Sequence, residues 1–171
     1  MTATVESPDA PSNDGHQLPG GVGTIAQMLM SIANQVPNGN CLSTLVIEAH
    51  GNETVVSTGG LNPPVLPPNI GRVEGDTDIN PFNASRVGNR IKSALCLCKP
   101  CKIYLLSCHV GLGNIPQKLA TATGCTVFAP KGFCHPNLGD PIASPIQPTD
   151  PHYPNYNPIG SCGRWGVCVP Q

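Results

Sequence analysis

Apolar positions along this chain follow two distinct patterns. Three segments repeat at helical spacing: Ile25, Met28, Leu29, Ile32 and Val36; then Val87, Ile91, Ala94 and Leu95; then Leu119 and Ala122. Residues three and four apart share a helix face, so each set paints one stripe. Pro37 and Gly39 end the first, Asn80-Pro81 opens the second, and Asn114, Pro116 and Gly124 bracket the third. Residues 44–49, 102–107 and 125–129 are instead short, nearly continuous apolar runs with β-branched residues, the mark of strands buried on both faces. Residues 54–58, following the turn-forming Gly51-Asn52-Glu53, predict a strand that pairs back as a small hairpin. The order strand, helix, strand, helix, strand over 44–129 calls for a parallel sheet with right-handed crossovers, and the class is α/β.

Composition sets the frame around this middle. A chain of 171 residues fits one domain with a continuous core. Twenty prolines and 19 glycines cluster at 1–23, 59–71 and 130–171, so regular structure falls between them and the loops are long. Residues 1–21 read as a disordered leader or linker, and 22–171 as the domain proper, with a Pro-rich tail packed on the body through Trp165. Charged residues make up 11% and the formal net charge is −1, which gives no electrostatic footprint for nucleic acid. No run reaches the length of a membrane span, and the amino terminus has no Sec-type signal.

The chemistry sits where two strands stop. Residues 45–49 run into His50-Gly51, and residues 103–107 run into Cys108-His109. If the two runs are neighbouring parallel strands, an imidazole and a thiol emerge together at their carboxyl ends, where open α/β sheets place their sites. An ordinary cysteine is only slightly ionised at neutral pH, and a neighbouring imidazole takes its proton and returns it to a leaving amine. Gly51 lets a substrate carbonyl approach, and the backbone N–H groups of Gly51 and Cys108 are candidate oxyanion donors. His109 is expected to point away from the cleft. Glu48 and Glu53 are expected to be solvated, and no third catalytic member is assigned.

The pattern of an apolar strand into His-Gly, a helix, and an apolar strand into Ser-Cys resembles the caspase-like cysteine peptidases, which include caspases, legumain, gingipains and the self-cleaving domains of large bacterial toxins. The wording Leu-Leu-Ser-Cys-His-Val-Gly, with Leu-Ala-Thr-Ala-Thr-Gly-Cys-Thr-Val-Phe-Ala-Pro-Lys-Gly and Gly-Arg-Trp-Gly-Val-Cys-Val-Pro, is also similar to caspase-like modules at the ends of bacterial polymorphic toxins. The resemblance implies a three-layer sandwich, a small mainly parallel sheet flanked by helices. It also implies a cysteine endopeptidase with a His50/Cys108 dyad and no cofactor, acting on a protein or peptide. As a toxin or effector domain it would be made in the cytoplasm, then secreted or delivered, with an upstream toxin or delivery domain as an implied partner. The caspase signature Gln-Ala-Cys is absent, so preference for aspartate does not carry over. The alternative is a catalytically silent binding or structural module.

Nine cysteines leave an odd thiol if the rest pair. Cys96, Cys98 and Cys101 have the tight spacing of three metal ligands, with Cys41 or Cys125 as a fourth. Disulfides are the competing use: Cys162 with Cys168, and Cys96, Cys98 or Cys101 with Cys41 or Cys134.

Overall fold

The computed structural model describes residues 2–6, 24–36, 40–57, 78–96, 100–132 and 165–171. Strands β1 (Thr2–Glu6), β2 (Thr44–Glu48), β3 (His50–Asn52), β4 (Val55–Ser57), β5 (Asp78–Ile79), β6 (Lys102–Leu106), β7 (Thr126–Pro130) and β8 (Trp165–Cys168) are interleaved with helices α1 (Ile25–Asn34), α2 (Ala84–Ile91) and α3 (Ile115–Thr123). Five strands form one sheet in the order β1-β2-β6-β7-β8, and β3-β4-β5 form a second, smaller one. The first three pairings of the large sheet are parallel and the last, β7 with β8, is antiparallel. The architecture is mixed α/β, with a mixed sheet and three helices.

Local chemistry explains the helix ends. Thr24 caps α1, its hydroxyl accepting from the Gln27 N–H at 3.2 Å. Asn80 opens the turn before α2: its side-chain oxygen accepts from the N–H groups of Phe82 and Asn83, and its carbonyl accepts from Ala84. Pro116 sits in the first turn of α3, and Gly124, at φ 78°, closes it in the left-handed conformation that glycine adopts without strain.

Strands β1, β2, β6 and β7 are added in one direction across the sheet, an order that puts connecting helices on one side when crossovers keep the usual right hand. The core agrees. Ile25, Met28 and Ile32 of α1, Val87 and Ile91 of α2, and Ile115 and Leu119 of α3 share one buried cluster with Leu45, Ile47, Ile103, Leu105 and Val127. The opposite face carries a smaller cluster of Val46 and Leu106, with Tyr104 and Cys108 packed against it. Tyr104 also stacks on Phe128, ring centroids 4.8 Å apart. Helices on both faces were the expectation; among the described residues the three helices lie on one, because the strand order never reverses.

Both ends of the chain add strands to the large sheet. The leader is not wholly irregular: its β-branched stretch at 2–6 adds a parallel edge strand to β2 in register from Thr2 with Thr44 to Glu6 with Glu48. The end of the tail is β8, docked antiparallel on β7; the Trp165 ring lies outside the described residues. No helix among the described residues is long and apolar enough to cross a membrane.

Two disulfides, Cys41–Cys96 and Cys101–Cys125, staple one end of the large sheet. Cys41, Cys101 and Cys125 each lie just before a parallel strand, so both bridges are at the amino ends of β2, β6 and β7. A parallel bridge between Leu42 and Leu95 runs beside the first. Cys41–Cys96 is one of the pairings open from the sequence; Cys101–Cys125 is not. The metal alternative at Cys96, Cys98 and Cys101 is corrected here, since Cys96 and Cys101 belong to different disulfides and a disulfide sulfur is no thiolate ligand. Cys98, Cys134 and Cys162 lie outside the described residues. Cys168 is a thiol rather than half of a bridge to Cys162, and among the described residues no group of three His, Cys, Asp or Glu could hold a metal ion.

Candidate functional site

Every pair matched between β2 and β6 is 58 residues apart, from Thr44 with Lys102 to Glu48 with Leu106. The same interval separates His50 from Cys108. Pairing continues past the strand end, since the Ala49 N–H donates to the Leu106 carbonyl at 3.2 Å. The two expected residues therefore sit two positions beyond the last register pair, on the carboxyl edge of adjacent parallel strands. Side chains alternate along a strand. Leu45, Ile47 and Ala49 face the helical core, as do Ile103 and Leu105, so Val46, Glu48 and His50, with Leu106 and Cys108, share the other face.

Backbone contacts bind the two segments where they leave the sheet. A Cβ on Gly51 would come 2.9 Å from the Ser107 Cβ and 2.6 Å from the Val55 carbonyl oxygen. Gly51 therefore lacks a side chain because the protein's own chain fills that space on the core side. This is a packing reason for the glycine, separate from any approach of a substrate. A second close approach lies farther out, where a Cβ on Gly113 would overlap the Glu53 carbonyl oxygen. The turn of the β3–β4 hairpin and the loop after Cys108 are thus locked together.

The chain reverses sharply at Cys108. Ser107 ends the strand path, and His109 takes φ 57°, ψ 2°, the one positive φ outside glycine among the described residues. Left-handed backbone is costly for a residue with a Cβ and persists where surroundings over-determine it. Here the His109 N–H donates to the Gly132 carbonyl at 2.8 Å, and the His109 carbonyl accepts from Leu112 in the 3-10 turn Val110–Leu112. Gly111 in that turn lies against the carbonyls of Ala129 and Pro130. The strand does not persist through His109, and its amide is committed to Gly132.

Cys108 and His50 are both partly exposed, as an attacking group and its base must be. Cys108 is a thiol, as is Cys168 on β8; burial pushes the Cys168 thiol up from its ordinary value, and the nearby Lys131 opposes that. Burial likewise raises the Tyr104 phenol. Glu53 is exposed as expected, whereas Glu48 is 5% exposed, which corrects the expectation of a solvated carboxylate. Ser107, 1% exposed, leaves its hydroxyl without a hydrogen-bond partner among the described residues. The groove lined by Leu29, Met30, Arg90 and Ile91 lies between α1 and α2, on the helical side of the sheet and away from this edge.

Sequence reasoning missed two polar residues beside His50. In the small sheet His50 is paired with Ser57, and Ser57 with Asp78. Nothing local marks them, because 21 positions separate Ser57 from Asp78 and only the third strand brings them together.

A family model described as a domain of unknown function (DUF8616) matches residues 22–141. The chain belongs to that family. The matched stretch encloses β2 to β7, both disulfides, His50, Gly51 and Cys108, while β1 and β8 fall outside it. No curated protein and no solved structure matches the chain.

Proposed function

We propose that this domain is a cysteine endopeptidase of caspase-like type, with Cys108 as nucleophile and His50 as general base and then general acid. One observation carries the reading: the residues lie at equal distance beyond the ends of adjacent, parallel strands whose register matches their sequence separation. His50 takes the proton from the Cys108 thiol, and the thiolate attacks the scissile carbonyl carbon. The proton then passes to the leaving amine, and water hydrolyses the thioester with His50 again as base. The amides of Gly51 and Cys108 are the proposed oxyanion donors, a donor of that kind being worth about 3 kcal/mol of barrier. No metal or cofactor enters the scheme.

The two disulfides support action outside a reducing cytosol, in keeping with a secreted or delivered effector or toxin domain. The same bridges also favour a second reading, a silent module of this fold kept for binding, in which Cys108 is merely a small apolar residue against Val46 and Leu106.

A peptide acyloxymethyl ketone library, followed by mass spectrometry, separates the two. The peptidase reading expects sequence-selective modification at Cys108, lost in His50→Ala, together with cleavage of matching peptides. Modification of Cys108 and Cys168 alike, indifferent to peptide sequence and to His50, contradicts it.

A further inference from the structure

The small antiparallel sheet places a third and a fourth polar group in line with His50. Partners directly opposite in such a sheet project to the same face, with Cβ atoms about 4.5–5.5 Å apart. His50 is opposite Ser57, and Ser57 is opposite Asp78, so the three form one row across β3, β4 and β5. The row's face is fixed by its neighbours. Val56 and Ile79, the next pair along, are wholly buried in the helical core, and Gly51 turns the same way. His50, Ser57 and Asp78 therefore turn to the other side, the face that carries Cys108.

Chemistry and burial fit a relay. Ser57 is 6% exposed, and Oδ1 of Asp78 is out of contact with solvent. Two inter-strand steps put Asp78 about 10 Å from His50 along the row, too far for a direct hydrogen bond. A serine hydroxyl bridges that gap because it accepts and donates at once. Asp78 itself is anchored: the Asn83 side-chain N–H donates to its carbonyl at 2.9 Å, and the Asn83 oxygen accepts from the Asn80 N–H at 2.8 Å. Asn83 is 2% exposed and begins α2, so β5 is fastened to the helical layer.

We infer that Ser57 and Asp78 are positioning residues for His50. The ring Nδ1–H donates to the Ser57 oxygen, the Ser57 O–H donates to the Asp78 carboxylate, and Nε2 is left unprotonated toward Cys108. The row selects the tautomer and ring orientation needed to accept the thiol proton, a task a buried orienting group commonly performs for histidine. It supplies the third member that the sequence does not assign. The inference deepens the peptidase reading, and its test is arranged to stand apart from it.

The tautomer is read in the Cys108→Ala chain, where no thiol is present to react or to share a proton, by long-range nitrogen–proton NMR of the histidine rings with His50 assigned through His50→Gln. A protonated Nδ1 is expected, giving way to mixed tautomers in Ser57→Ala and in Asp78→Asn and retained in Ser57→Thr. In the chain with Cys108 present, iodoacetamide labelling at neutral pH should slow in Ser57→Ala and Asp78→Asn by on the order of tenfold, less than full loss of a general base. Where a cleaved peptide is in hand, kcat should fall with KM unchanged. An unaltered His50 tautomer in both variants overturns the inference, as does a tautomer that collapses in Glu48→Gln but survives Ser57→Ala. A relay seen by NMR with no peptide cleaved by any chain would leave this inference standing and remove the peptidase reading.

Discussion

At the scale of single residues, the account turns on what each side chain meets beyond the strand ends. Gly51 is the sharpest case. Adding one methyl there drives it against Ser107 and the Val55 carbonyl, so Gly51→Ala should destabilise by about 1–3 kcal/mol, the range for overpacking a tight site, read as a lower urea midpoint. It should also slow Cys108 labelling, because the His50 and Cys108 segments are forced apart. The thiols differ in a way that pH exposes. Cys168 is raised by burial with Lys131 only partly compensating, so its alkylation should set in at higher pH than that of an ordinary cysteine. For Tyr104 the raised phenol means the neutral form is favoured in the fold. Its contribution is therefore whole below the unfolded value near 10 and is lost as pH climbs through the higher folded value, an alkaline loss that Tyr104→Phe should remove from a urea series. The placement of His50 and Cys108 past the ends of neighbouring strands was legible in the sequence because each follows an apolar run. Ser57 and Asp78 were not, since no short-range pattern shows that two separate strands will align with a histidine. The burial of Glu48 escaped for a similar reason: a glutamate at a strand end reads as solvated, and no local pattern shows that this one is taken out of water.

At the scale of elements, the parallel strands are stapled at one end and carry the proposed site at the other. The disulfides close loops at the amino ends of β2, β6 and β7, and the candidate chemistry occupies the carboxyl ends. By loop-closure reasoning, the 24-residue separation of Cys101 and Cys125 is worth roughly 3.5 kcal/mol and the 55-residue separation of Cys41 and Cys96 roughly 4 kcal/mol. Replacing either pair with serines should lower the urea unfolding free energy by amounts in that order, while the Cys108 environment, at the far end, changes little in the folded fraction. Equal stability in all three chains would contradict this assignment. Helical periodicity and cap residues made α1, α2 and α3 readable, and the continuous apolar runs gave β2, β6 and β7. The isolated cysteines gave no pairing, because connectivity depends on which strand starts lie side by side, which spacing does not encode. Strands β1, β5 and β8 are short or carry weak patterns and gain their structure from the edges they join.

At the scale of the whole molecule, a single direction of strand addition explains the layering. With β1, β2, β6 and β7 in spatial order, the three helices among the described residues pack into one cluster on one face, and Val46 and Leu106 form a second, smaller cluster on the other. The class was legible from alternating strands and helices; the helices' confinement to one face was not, because it follows from strand order rather than from any segment. The family match over residues 22–141 contains β2 to β7 and the three helices, but not β1 or β8. What it contains is one edge at which a hairpin bearing His50 and a turn bearing Cys108 are interlocked through Gly51 and Gly113.

That juxtaposition can be tested without any substrate. In His50→Cys, made in a Cys168→Ser background, the new thiol should close a disulfide with Cys108 under mild oxidation, because such a bridge needs Cα atoms within about 7 Å and Cβ atoms turned toward each other. The account predicts loss of two hydrogens in the intact mass and a linked peptide pair containing positions 50 and 108. Two thiols that both remain open to iodoacetamide after oxidation would contradict it.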